Sequence, residues 1–214
     1  HAKPEQIPSL EKKFAPKWPK DDWYDQKYLL LDKKLWDGQY YLDEIKKQKT
    51  KYEILSHGFA HIDYSDSSTS AEVAAWDMEQ GISVLRSYDL KINGFVFPCN
   101  HLGHSHLLSK NGIDIIRGND RFWHINSSPI VTPIGFWLSP AFYTFSEIKN
   151  LINSAISHKS FFHPWMHLIE CDIRQRDIEN FYYPIFSLIK ELEAKGKIKN
   201  LFFSEIAEQI NLVK

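Results

Sequence analysis

The sequence predicts an α/β fold in which a parallel sheet is covered by helices, either open or closed into a barrel. Short β-branched and aromatic runs alternate with stretches of helical period along much of the 214 residues, and crossover connections between parallel strands require that alternation. Three of the runs also end in polar, chemistry-bearing residues, at His57, at Cys99 to His101 and at His163. In barrels of this kind reactive groups gather at the C-terminal strand ends, where the strand-to-helix loops converge.

The length fits a single domain over 1–214, enough chain to bury a sizeable core. Lys plus Arg (26) nearly cancels Asp plus Glu (27), for a net charge of -1. A nucleic-acid or anionic-membrane partner would call for a basic excess, so neither is expected. Cys99 and Cys171 form no CxxC pair, which favours a reducing, cytoplasmic compartment over a disulfide framework. No apolar run is long enough to span a bilayer, and no signal-peptide h-region opens the sequence. The chain begins with histidine rather than methionine, so an upstream segment is open.

In chain order, residues 1–25 are rich in proline and lysine without a sustained period and predict an irregular arm. Tyr40 to Lys49 predicts a short helix with Tyr41, Leu42 and Ile45 on one side. Tyr52 to Leu55 predicts a buried strand, punctuated by Ser56, His57 and Gly58. Thr69-Ser70-Ala71-Glu72 reads as a capping box with Thr69 as the cap, opening a helix that carries Ala74, Met78 and Ile82 to about Ser87. Lys91 to Phe97 and Ile113 to Arg117 predict strands, with a short helix at Ser105 to Lys110 between them. Pro129 and Pro133 interrupt the next stretch, leaving a short strand near Val131.

A second capping box, Thr144 to Glu147, opens a helix with Ile148, Leu151 and Ile152 on its buried stripe. Ser160 to His163 predicts a strand stopped by Pro164. A long helix is expected to follow Pro184, with Gly196 at its C-terminus, and Ile198 to Phe203 and Ser204 to Ile210 close the chain as strand and helix.

The stretch Tyr52 to Asp63, YEILSHGFAHID, holds the sharpest chemical signal. Two histidines four apart, at 57 and 61, are a spacing at which neutral imidazoles can share one metal ion. Hydrogen-bonded core histidines are the competing reading, and no Glu follows His57 as in the helical HExxH pattern. His101, His104 and His106 read more simply as a solvated loop than as a metal site, and Cys99 as a small packed residue rather than a nucleophile. Trp137 offers either a sugar-facing ring or a core side chain, and Arg117 either a carboxylate partner or a strand-end cap.

Taken together, EILSHGFAHIDYS, FVFPCNHLGH, IIRG, SFFHPWMHL and ELEAKGKIKNLFFSEI resemble the NodB-like polysaccharide deacetylases of carbohydrate esterase family 4, in the bacterial branch linked to lipopolysaccharide and capsule clusters. The resemblance runs from about Trp18 to the C-terminus. It implies a distorted (β/α) barrel that removes the N-acetyl group from an amino sugar in a polysaccharide or glycan precursor. His57 and His61 would hold a divalent metal, usually zinc, together with an aspartate. Pro98 and Cys99 would line the acetyl pocket, for which Asn100 and Trp137 are further candidates, His104 matches a family position and would face the mouth, and His163 would protonate the departing amine.

The family's Thr-Phe-Asp strand, which supplies the catalytic base and third metal ligand, is not found before His57; Asp32, after Leu29-Leu30-Leu31, is the nearest local substitute. The expectation is therefore a chain that starts after the first two strands of the barrel. The basic residue of the family's third motif is also missing around Val96 and Cys99. A catalytically silent relative that binds glycan or a partner is the alternative.

Overall fold

A computed structural model describes residues 38–49, 51–119, 130–133, 135–166 and 174–212. The predicted arm over 1–25, Asp32 and Cys171 lie outside the described residues. The contacts gather into two compact units. The first comprises the described part of residues 1–132 together with 202–212, and the second residues 133–201.

In the first unit, helix α1 (Gly38–Lys46) buries none of its residues. The predicted strand at Tyr52 to Leu55 reduces to a single parallel bridge between Ser56 and Phe95, made by Ser56 N–H to Gly94 O at 3.0 Å and Val96 N–H to Ser56 O at 2.9 Å. Strand-forming residue types supply surface to bury but not a pairing partner: Tyr52 is exposed, while Ile54 packs against the core of this unit. Helix α2 (Ala71–Arg86) follows, capped one residue later than expected. Ser70 accepts from Val73 N–H, while the Thr69 hydroxyl donates to the Asp63 carbonyl at 2.5 Å.

Strands β1 (Gly94–Val96) and β2 (Ile115–Asn119) pair in parallel, Gly94 opposite Ile115 and Val96 opposite Arg117. Strand β3 (Ile130–Pro133) lies beside β2, where a short strand near Val131 was expected. The helix predicted at Ser105 to Lys110 forms as two short 3₁₀ turns.

The core of this unit packs Met78 and Ile82 of α2 against Phe95, Phe97, Leu108, Ile116 and Tyr64. Tyr64, Phe95 and Phe97 meet edge to face at 4.9 to 5.6 Å, the geometry that aromatic quadrupoles favour. The chain returns at its end to add helix α6 (Phe203–Leu212), whose Ala207, Phe203 and Ile206 pack with Ile115. No strand forms at 198–203.

In the second unit, β4 (Phe136–Trp137) pairs in parallel with β5 (Pro164–Trp165). His163 therefore stands immediately before a short strand, rather than ending one. Its carbonyl accepts the Phe136 N–H at 3.2 Å. Gly135, at φ 79°, permits that approach, because a Cβ there would overlap the His163 carbonyl.

Helix α3 (Phe145–Ser157) carries the expected capping box, Thr144 and Glu147 each bonded to the other's backbone. Helix α4 (Gln175–Asp177), a π turn (Ile178–Tyr182) and helix α5 (Tyr183–Ala194) follow without a break. The long helical run thus begins well before Pro184. The π turn stands where proline's missing N–H and ring would disturb an α-helical ladder. Gly196, at φ 65°, ends α5 with Gly196 N–H to Glu193 O and Lys197 N–H to Leu192 O, a Schellman cap. Leu138, Ile148, Ile152, Phe181, Tyr182 and Ile185 form the core of this unit.

Among the described residues no helix is long and apolar enough to cross a membrane.

Candidate metal site and its surrounding loops

The loop carrying His57 and His61 leaves the bridge at Ser56 and crosses the surface of α2. Its backbone is unusual at two points, Gly58 at φ 80° and His61 at φ 55°. The His57 Nδ1–H donates to the Val96 carbonyl at 2.6 Å, which assigns the proton to Nδ1 and leaves Nε2 as the ring's lone-pair nitrogen. A backbone carbonyl behind one ring nitrogen is the usual way a metal-binding imidazole is oriented.

The His57 and His61 rings meet edge on, with centroids 4.9 Å apart. Two imidazoles sharing one tetrahedral zinc at ordinary Zn–N distances stand about 5 Å apart by centroid, the same separation as this pair. Among the described residues no third His, Cys, Asp or Glu completes a group of three.

The loop is fastened from beneath by Asp77, a fully buried acid of α2. Its carboxylate accepts the Phe59 N–H at 2.9 Å, the Ala60 N–H at 2.7 Å and the Tyr64 hydroxyl. Burial pushes the Asp77 carboxyl up from its ordinary value, while the hydrogen bonds from Tyr64, Phe59 and Ala60 pull it back toward the charged form. Burial, and then the charge of Asp77, push the Tyr64 phenol far up, so it stays protonated and donates.

Two glycines make the contact possible. A Cβ on Gly58 would stand 2.6 Å from Asp77 Oδ2 and 2.7 Å from Tyr64 Oη, and one on Gly81 2.7 Å from the Gly58 carbonyl carbon. Of these partners the sequence singled out Gly58 alone, as the punctuation after a strand. The available signal was an acid at position 77 between Ala74 and Met78, on the apolar stripe of an amphipathic helix.

The second loop follows β1 directly. Pro98–Asn100 forms a 3₁₀ turn in which Cys99, at φ 52°, and Asn100, at φ 57°, are both left-handed. Asn100 N–H and His101 N–H are spent on the Phe97 and Pro98 carbonyls, and Pro98 has no N–H. The Cys99 amide is thus the donor this turn can offer a developing oxyanion. The Cys99 thiol is exposed, yet partial burial and then the nearby Asp63 carboxylate push it up from its ordinary value, against a thiolate nucleophile. Arg117 also reaches this turn. From β2 it donates to Asn100 Oδ1 at 2.9 Å, holding that side chain under the turn.

The histidines at 101 and 104 tie the two loops together. His101 Nδ1 lies 3.0 Å from Asp63 Oδ1. Burial alone would raise the Asp63 carboxyl, but hydrogen bonds from Ser65, Ser68 and His101 hold it below the usual range. His104, left-handed at φ 49°, directs Nε2–H to the Thr69 carbonyl at 2.8 Å and its backbone N–H to Asp66 at 3.2 Å. His104 is thereby committed to the turn before α2. Four of the six described non-glycine residues with positive φ, His61, Cys99, Asn100 and His104, lie in these two loops, and such strain collects where surrounding contacts hold a functional geometry.

The structure therefore brings His57, His61 and the Pro98–Asn100 turn together in the first unit. Trp137 and His163 belong to the second unit, where Trp137 stacks on Trp165 at 5.6 Å and 16° and meets Phe142 edge on. No protein-family model, curated protein or solved structure matches the chain.

Proposed function

We propose that this chain is a metal-dependent N-deacetylase acting on an amino sugar of a bacterial polysaccharide or glycan precursor in the cytoplasm, built on the distorted (β/α) barrel of the NodB-like type. The observation that carries the reading is the His57–His61 pair, 4.9 Å apart with His57 oriented by the Val96 carbonyl. Those two side chains would hold the metal, for which zinc suits the nitrogen donors. When bound, a divalent metal supplies polarisation of the acetyl carbonyl and a lowered water pKa.

The remaining steps fall to the chain itself. The Cys99 N–H donates to the carbonyl oxygen as negative charge develops there, and the left-handed turn holds that amide in place. Water's oxygen bonds to the acetyl carbon and the amide C–N bond breaks as the amine nitrogen takes up a proton, the role the resemblance gives His163, so acetate and a free amino sugar leave.

The test is zinc stoichiometry and acetate release on a panel of N-acetylated oligosaccharides. His57→Ala is expected to abolish both. His163→Ala is expected to retain zinc while slowing acetate release by about 10²–10⁴-fold, the usual contribution of a general acid. A chain that takes up no zinc would end the metal reading.

The second reading is a silent, glycan-binding relative. It is favoured by the absence of a third metal-binding side chain beside His57 and His61 among the described residues, and stoichiometric zinc with no acetate release from any substrate would select it.

A further inference from the structure

We infer that Asp77 is a positioning residue for the metal site, a buried carboxylate that fixes the relative placement of His57 and His61 through the backbone between them. The inference rests on the metal reading of those two histidines. Phe59 and Ala60, whose amides Asp77 accepts at 2.9 and 2.7 Å, lie between the two histidines in sequence, and Tyr64 closes the loop on the far side. One carboxylate therefore grips the connecting backbone at consecutive amides and turns both N–H groups inward. Successive amides converging on one anion form a rigid concavity.

The surroundings leave the loop little freedom to adopt another path. Gly81 brings the α2 backbone so close that a Cβ would stand 2.9 Å from the Phe59 nitrogen, and Gly58 has no room for a side chain against Asp77 and Tyr64. His61 is held at φ 55°, a conformation that persists only where neighbours over-determine it. Asp77 cannot itself serve as base or ligand: it is fully buried, and its oxygens face the two amides and the phenol. Uncompensated burial of a carboxylate is strongly unfavourable, so the three donors and the acid form one unit whose product is a fixed loop.

The experiment is a competitive titration of the full chain with Zn²⁺ against a chromophoric chelator, with circular dichroism of the zinc-free protein giving the folded fraction. Asp77→Asn keeps the volume but turns one acceptor into an NH₂ group facing a backbone donor, and Tyr64→Phe removes only the phenol. The zinc Kd of folded Asp77→Asn is expected to rise by about 10–100-fold, the range seen when groups supporting a metal ligand are removed, with a smaller rise for Tyr64→Phe. A merely structural role would lower the melting temperature and leave the affinity of the folded fraction unchanged, and that result overturns the inference. If Asp77→Asn does not fold, folded Tyr64→Phe decides: a raised Kd supports the positioning role and the wild-type Kd overturns it. Wild-type protein that takes up no zinc overturns the metal reading and this inference with it, an outcome separate from wild type and variants binding zinc equally.

Discussion

Gly81 lies in the middle of α2, where the helix passes against the backbone of the histidine loop. Two effects oppose each other at this position. Alanine is a better helix former than glycine by about 1 kcal/mol, so Gly81→Ala on an open helix surface would stabilise. Here the added Cβ would stand 2.7 Å from the Gly58 carbonyl carbon, 2.9 Å from its oxygen and 2.9 Å from the Phe59 nitrogen, all backbone atoms. Overpacking of this kind costs roughly 1–3 kcal/mol, so the overlap outweighs the propensity gain. Gly81→Ala is expected to lower stability in urea unfolding, and a stabilised variant would show that the loop yields freely. The sequence made the two histidines legible because their spacing is a ligand spacing. It did not make Asp77 or Gly81 legible, because an acid and a glycine on a helix ordinarily read as a solvated position and a weak one. Their meaning comes from what passes above them, and that contact is tertiary.

Elements whose ends are set by local hydrogen bonds were readable from the sequence, to within one residue at the Ser70 cap of α2. The Thr144–Glu147 box and the Gly196 cap satisfy backbone groups within six residues of themselves, so their residue types suffice. Elements that depend on distant partners were not. Tyr52 to Leu55 has strand-forming residues, but among the described residues the pairing begins at Ser56, and Pro184 looked like a helix start because the π turn that accommodates it leaves no sequence signature. The capping box also carries a pH dependence. Hydrogen bonds from the Thr144 backbone and hydroxyl hold the Glu147 carboxyl below its usual value. A depressed carboxylate contributes stability above its unfolded pKa, about 4.3, and loses it as pH falls through the lower folded value. Comparison of the wild type with Glu147→Gln by amide exchange in the first turn of α3 should therefore show greater protection in the wild type at pH 6 to 7. The two should converge on acidification below about pH 4, and a pH-independent gap would assign the effect to shape rather than charge.

At the scale of the molecule, the first unit is discontinuous. Its last helix arrives after the whole of the second unit, and Glu53 secures it. The Glu53 carboxylate accepts the Phe203 N–H at 2.7 Å and the Ser204 N–H at 3.0 Å, linking positions 150 residues apart. These amides open α6, where intrahelical acceptors are lacking and a negative charge meets the positive end of the helix dipole. Alternation in the sequence was enough to suggest parallel pairing, which β1 with β2 and β4 with β5 display. It gave no sign that residue 53 would cap a helix at 203, because a glutamate beside a strand-like run has no local feature that names its partner. Loss of an N-terminal cap costs about 0.5–2 kcal/mol, and here it also loosens Phe203, Ile206 and Ala207 from Ile115. Glu53→Ala is thus expected to destabilise the chain by that amount and to speed amide exchange along α6, while the amides of α3 and α5 in the second unit keep wild-type protection. Glu53→Gln retains one acceptor and should fall between the two. Exchange that rises equally in both units would mean that they unfold as one cooperative body and that the Glu53 contact supports the whole chain, whereas unchanged exchange in α6 would show that packing on Ile115 alone holds the helix.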